Sequence, residues 1–294
     1  MASVLGQPIT HFVSTNAIQV RCLEWPLPAG VRANPHTILL IHGLTSIAET
    51  WSLVAPRLAE AGFRVLATDL RGHGDSDKPD SGYDFANITK DLDGMLQRLG
   101  VSRAIVVGQS WGAGVAAELA GHRPTLVSHL VLVDGGFARG GPPAEEPTPE
   151  RLEQMLAPLD VYITEQTYLE ASYGSIPISP ELTAIYLSSI YHNDDGSVRE
   201  KLLRDHQKLI AREMLTADAQ QRYTRIQCPV LFLPAENSNP SAAQRLAEKR
   251  VRVEETAAML ANASVLWVPD TVHDIQLHKP HEIVSAIKGF VGYE

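Results

Sequence analysis

Apolar residues return in two rhythms through the first 135 positions: short runs of strand length, and longer stretches in which they recur every three or four residues. Ile9 to Ser14 and Ala17 to Trp25, around a Thr15-Asn16 turn, predict an opening hairpin, and Thr37 to Ile41 predicts a buried strand. A helix is expected over Ala48 to Ala61, ended by Gly62, then a strand over Phe63 to Thr68 and a helix over Phe85 to Leu99 stopped by Gly100. Arg103 to Val107 reads as the next strand, Gly112 to His122 as a small-residue helix, and His129 to Val133 as a further strand. Strand and helix in alternation predict an α/β fold, a mostly parallel sheet with helices on both faces.

Beyond Asp134 the pattern breaks, because Gly135-Gly136 and the prolines through Pro149 cannot continue regular structure. From Glu150 to Tyr223 the apolar spacing is helical, with no strand expected. Strand, helix and strand resume as Val230 to Leu233, Ser241 to Leu260 and Val265 to Val268, and a last helix is expected over Pro280 to Phe290. The chain is therefore expected to fold as a core of residues 1–135 and 224–294 carrying a helical insertion of residues 136–223.

Composition narrows the function. With 44% hydrophobic residues the 294-residue chain can bury a large core, and its net charge of -9 speaks against nucleic acid or an anionic membrane surface as partner. Cys22 and Cys228 lie far apart with no metal-ligand spacing, so neither disulfide, metal nor cofactor is expected. No basic segment leads into a long apolar one at the N-terminus, and no uncharged apolar run spans a bilayer, which predicts a cytoplasmic protein; its expected partner is a small-molecule, largely uncharged substrate. Oligomeric state is not legible.

The chemistry gathers around Gly108-Gln109-Ser110-Trp111-Gly112, set between a buried strand and an alanine-rich helix. Such a setting predicts a nucleophile elbow: a tight strand-to-helix turn that holds a serine in a strained conformation with its Oγ clear of the sheet. A serine hydroxyl needs a base, and of the 11 histidines only His273 follows a final strand in a non-helical loop. Leu39-Leu40-Ile41-His42-Gly43-Leu44 ends a strand in His-Gly, so the backbone N–H groups of Leu44 and Trp111 are the expected oxyanion donors. His42 itself is expected to brace its loop. The orienting acid must lie between Ser110 and His273 and follow a strand, a requirement met by Asp134 and by Glu236.

Together with Asp69-Leu70-Arg71-Gly72-His73-Gly74-Asp75-Ser76 and Val272-His273-Asp274, these residues resemble the α/β-hydrolase superfamily over nearly the whole chain, in its capped esterase and epoxide-hydrolase-like branch. The resemblance implies an eight-stranded sheet, a helical lid made by the insertion, and a structural turn braced by Arg71, His73 and Asp75. Many members carry the acid after the strand corresponding to Val230 to Leu233, where this chain has Asn237, Ser238 and Asn239; some carry it one strand earlier, the place of Asp134. Asp134 is therefore the expected acid and Glu236 the alternative. Serine in place of an aspartate nucleophile points away from epoxide or haloalkane chemistry and toward a carbonyl: an ester or lactone, opened through an acyl-enzyme. The same three groups would serve an amidase, an aminopeptidase or a carbon-carbon bond hydrolase, and a non-catalytic ligand receptor on this scaffold is the reading from another class. Tyr162, Tyr168, Tyr173, Tyr186 and Tyr191 of the insertion are candidates to line its pocket.

Overall fold

The computed structural model describes residues 6–138, 145–156, 161–162, 164–173 and 178–293. The first half runs β1 (Ile9–Thr15), β2 (Ile18–Trp25), β3 (Thr37–Ile41), α1 (Ala55–Glu60), β4 (Arg64–Thr68), α2 (Phe85–Arg98), β5 (Ala104–Gln109), α3 (Trp111–His122) and β6 (Val127–Val133). After the inserted stretch come β10 (Val230–Leu233), β11 (Ala235–Glu236), α9 (Ala243–Ala258), β12 (Ala263–Val265), β13 (Val268–Pro269), α10 (Ile275–His278) and α11 (Pro280–Phe290). Eight strands form one sheet in the order β1-β2-β4-β3-β5-β6-β10-β12, antiparallel at the β1-β2-β4 edge and parallel from β4 onward. This is the α/β-hydrolase fold. Every residue of β5 is buried, because helices cover both faces and leave no polar side to the central strands. One apolar layer joins α2 and α3 to the sheet through Ile88, Leu92, Val115 and Leu119, and the other joins α1 and α11 through Leu58, Ile283 and Ile287.

Three expectations are corrected. Ala48 to Ala61 is not one helix: a 3-10 turn at Ala48–Trp51 precedes α1. The Asp69 carboxylate takes the Ala48 N–H at 2.8 Å, and Pro56, with no N–H of its own, sits at the first turn of the new helix. Val265 to Val268 is not one strand either. Leu266 N–H still reaches Phe232 O at 2.9 Å, but the chain then bends and Val268 pairs with Ala235 in the separate β11-β13 ladder.

The third correction concerns the insertion. It contains α4 (Pro149–Met155), α5 (Glu165–Tyr173), α6 (Pro180–Leu187), α7 (Arg204–Thr216) and α8 (Ala219–Thr224), but also β7 (Val161–Tyr162), β8 (Ile190–His192) and β9 (Val198–Glu200), which form a sheet in the order β7-β9-β8. Gly196, at φ 84°, turns β8 back into β9, and Asn193 N–H closes the hairpin on Ser197 O at 2.8 Å. Strands of two and three residues are too short to impose a period on the sequence. Ile185 of α6 packs on Leu53 and Leu277 of the core, and the Arg222 guanidinium lies 4.1 Å from the centre of the Phe85 ring while its Nε donates to Glu118 at 2.5 Å. No helix among the described residues is long and apolar enough to cross a membrane.

Candidate active site

β5 ends at Gln109 and α3 begins at Trp111, so Ser110 is the whole of the turn between them. Its backbone is left-handed, at φ 54° and ψ -120°, which few non-glycine residues adopt and which lifts the side chain out of the strand line. The Ser110 N–H donates to Val133 O at 3.0 Å and fastens the turn to the end of β6. Gly112 is required by close approach: a β-carbon there would stand 2.2 Å from His42 O. A β-carbon on Gly43 would likewise stand 3.2 Å from Ser110 Cβ, so the loop after β3 lies directly on the elbow.

Ser110 and His273 lie 163 residues apart, yet the hydroxyl of one reaches Nε2 of the other at 2.8 Å. On the far side of the ring, Nδ1 donates to Asp134 Oδ2 at 2.7 Å, which sets the tautomer and leaves Nε2 to accept from serine. Asp134 is buried, whereas the His273 side chain is 55% exposed. Burial alone would raise the Asp134 pKa, but the hydrogen bond from His273 and the positive charge of Lys249 outweigh it and hold the carboxyl below its usual range. For His273, desolvation works downward, and the hydrogen bond and charge of Asp134, with Asp274 behind them, carry the pKa above the ordinary value.

The structure thus brings Ser110, His273 and Asp134 together in one line of hydrogen bonds. It places Glu236 elsewhere: that carboxylate pairs with the Arg250 guanidinium, from a residue that ladders with Pro269. Leu44 and Trp111 belong to the two segments that meet at Ser110, the loop after β3 and the first turn of α3. His42 is buried, with Nδ1 donating to Gly43 O at 2.7 Å and Nε2 accepting from Leu70 N–H at 3.0 Å. Burial lowers its pKa, so this loop brace is neutral.

Two further residues stand beside the site: His73, which the resemblance assigns to a structural turn, and Lys249, which carries no signal in the linear pattern. His73 reaches out of its turn: Nε2 lies 2.6 Å from Leu44 O, Nδ1 lies 2.9 Å from Arg71 O, and the ring stacks on Trp111 at 5.3 Å between centroids. Burial pushes its pKa down to about 3, so the ring is neutral and has one proton to give; the shorter contact, to Leu44, receives it. Lys249 of α9 lies 2.8 and 3.2 Å from the two oxygens of Asp134. A helical stripe of Lys, Arg and Glu reads like any solvated face, and nothing in its spacing marks Lys249.

A cavity of about 230 Å³ opens between the loop after β3 and the insertion, lined by Thr45, Ser46, Tyr168, Tyr186, Glu200 and Asp274 among others. Tyr168 and Tyr186 line this cavity, while the side chains of Tyr162 and Tyr173 lie outside the described residues. Tyr191 faces Arg199, whose guanidinium is 4.7 Å from the ring centre. Among the described residues no group of three His, Cys, Asp or Glu side chains is placed to hold a metal ion.

Comparison with known proteins agrees with this architecture. Residues 36–172 match the sequence model of the alpha/beta hydrolase fold family. The 2-(acetamidomethylene)succinate hydrolase of Mesorhizobium japonicum is 29% identical over 258 residues, covering 86% of this chain and 87% of that protein. Epoxide hydrolase A of Mycobacterium tuberculosis is 40% identical over 113 residues, which span 38% of this chain but only 34% of the relative's length. Among solved structures, E-2-(acetamidomethylene)succinate hydrolase superposes with a TM-score of 0.75 at 25% identity, over 97% of this chain and 99% of that one.

Proposed function

We propose that the chain, which has the α/β-hydrolase fold, is a member of that superfamily and a serine hydrolase cleaving a small carboxylic ester or lactone through an acyl-enzyme. The observation that carries the reading is the continuous line Ser110 Oγ–His273 Nε2 and His273 Nδ1–Asp134 Oδ2, at 2.8 and 2.7 Å. In this mechanism Ser110 Oγ bonds to the carbonyl carbon as its proton passes to His273 Nε2. The charge that appears on the carbonyl oxygen is received by the N–H groups of Leu44 and Trp111, each worth about 3 kcal/mol in comparable sites. Asp134 stabilises the imidazolium. His273 then returns the proton to the departing alkoxide, and water, activated at the same nitrogen, releases the acid and restores the serine.

The insertion is read as a cap beside this centre: its Tyr168, Tyr186 and Glu200 face Thr45 and Ser46 across a cavity that also meets Asp274, the residue after His273. A space of about 230 Å³ suits a small acyl or alcohol group, and its hydroxyls favour a polar one. A second reading has its own support: the relative that aligns over most of the chain is named for an acetamido-bearing compound, so hydrolysis of an amide, or of a carbon-carbon bond by the same three groups, is the alternative substrate class.

Labelling with a fluorophosphonate probe tests the reaction type. Ser110 should be modified in the native protein and not in S110A, and a panel of p-nitrophenyl esters, lactones and anilides should show ester turnover lost in S110A. A native protein that resists the probe while still binding a small ligand would make this a receptor instead.

A further inference from the structure

Asp134 is held from three directions. Its Oδ1 accepts from Ala235 N–H at 2.8 Å, its Oδ2 faces His273, and Lys249 Nζ lies against both oxygens while donating to Ala235 O at 3.1 Å. The lysine thereby bridges the ends of β6 and β10. Asp134 needs such a hold, because its backbone is left-handed at φ 41° without glycine's freedom. Lys249 is itself well placed: four residues on, Val253 is buried, and Thr256, also buried, accepts from Ala138 N–H at 2.9 Å, so α9 cannot slide.

We propose that Lys249 is a positioning residue of the reaction: it clamps the Asp134 carboxylate in line with His273 and sets the pH below which His273 ceases to act as a base. The proposal rests on the serine-hydrolase reading and deepens it. With His273 neutral, Asp134 and Lys249 cancel each other's charge; when His273 takes the serine proton, the three groups together carry one positive charge. An unpaired Asp134 would hold that proton far more tightly. Lys249 therefore weakens the pull of the carboxylate on His273 while fixing its direction. Other charged groups face the same histidine: Asp274 follows it in the chain, and Arg245, Glu248 and Arg252 of α9 line a cavity of about 500 Å³ that also contains His273 and Asp134. Of these, Lys249 is the one in contact with Asp134, and Glu248 accepts from Gln244 at 3.1 Å.

A purely structural ion pair would change stability alone, so the test reads protonation. The His273 imidazole is titrated by NMR in the full chain and in K249M and K249R, with kcat/KM against pH measured on p-nitrophenyl acetate. K249M should raise the His273 midpoint by about half a pH unit or more and move the acid limb of kcat/KM upward by the same amount. K249R, which keeps the charge, should return both toward the native values. If K249M does not fold, K249Q, neutral but able to donate to Asp134, is read by the same criterion. An unchanged midpoint in a folded neutral variant overturns the proposal. Turnover that survives in S110A would instead remove the serine-hydrolase reading, and the NMR midpoint, which needs no turnover, keeps the two failures apart.

Discussion

His73 Nε2 and the carbonyl oxygen of Leu44 are 2.6 Å apart, and the same ring stacks on Trp111. One neutral imidazole thus touches both residues proposed to supply oxyanion donors, and it fixes the Leu44 residue through its carbonyl. H73F, which keeps the stacking and loses the bond, should lower kcat about tenfold to a hundredfold with a smaller change in KM. Equal losses in kcat and in thermal stability of the resting enzyme, reversed together by a stabilising solute, would assign His73 to the fold alone.

Asp134 and Glu236 separate sharply in their surroundings, the first against His273 and the second against Arg250. D134N should reduce turnover by at least about a hundredfold with the fold retained, while E236Q should leave it within about threefold. The opposite ranking would show that the loop rearranges in solution and that Glu236 takes the acid's place.

Raising the His273 pKa has consequences of opposite sign for activity and stability. Catalysis needs the neutral ring, so kcat/KM should rise with pH through a midpoint above the ordinary value of about 6.5. The stability gained from protonated His273 is complete below that ordinary value and is lost as the pH climbs through the folded midpoint. Urea titrations of native protein and H273A across this range should differ most on the acid side, where the enzyme is least active; a constant difference would contradict the shift.

A β-carbon on Gly135 would lie 2.2 Å from Ser110 O and 2.5 Å from Ser110 Cα, and backbone atoms cannot step aside as a side chain can. G135A should therefore cost about 3 kcal/mol or more, or prevent folding. G289A, in the last turn of α11 with open space around it, should instead gain up to about 1 kcal/mol. Comparable urea midpoints for the two variants would be inconsistent with the packing at the elbow.

Arg71 and Asp91 make two bonds of 2.8 Å and are both buried. R71M leaves the carboxylate without its partner in a dry place and should lose about 3 to 5 kcal/mol, read from the urea midpoint.

The elbow was legible because everything it requires is local: Gly108 through Gly112 carry the turn, and the flanking runs carry the strand and helix. The parallel sheet was legible for a similar reason, since buried strands such as Ala104 to Val107 read as unbroken apolar runs. Side-chain direction at a strand end was not. Asp134 reaches His273 through a left-handed backbone, and Glu236 turns to Arg250, and neither follows from its place after a strand. The small sheet of the insertion escaped because its strands are shorter than any periodicity, and Lys249 because its partner lies 115 residues away.

The hydrogen bond from Ser110 N–H to Val133 O, with Gly135 pressed on the Ser110 peptide, makes the tips of two adjacent strands a single mechanical block. Ser110 and Asp134, the proposed nucleophile and acid, ride on that block together, and His273 arrives from a separate loop after β13. Disorder in that loop would disconnect the histidine from both partners at once yet leave their mutual spacing intact. Both hydrogen bonds of the relay are therefore made from one side, by one side chain, and the seating of a single loop determines them together.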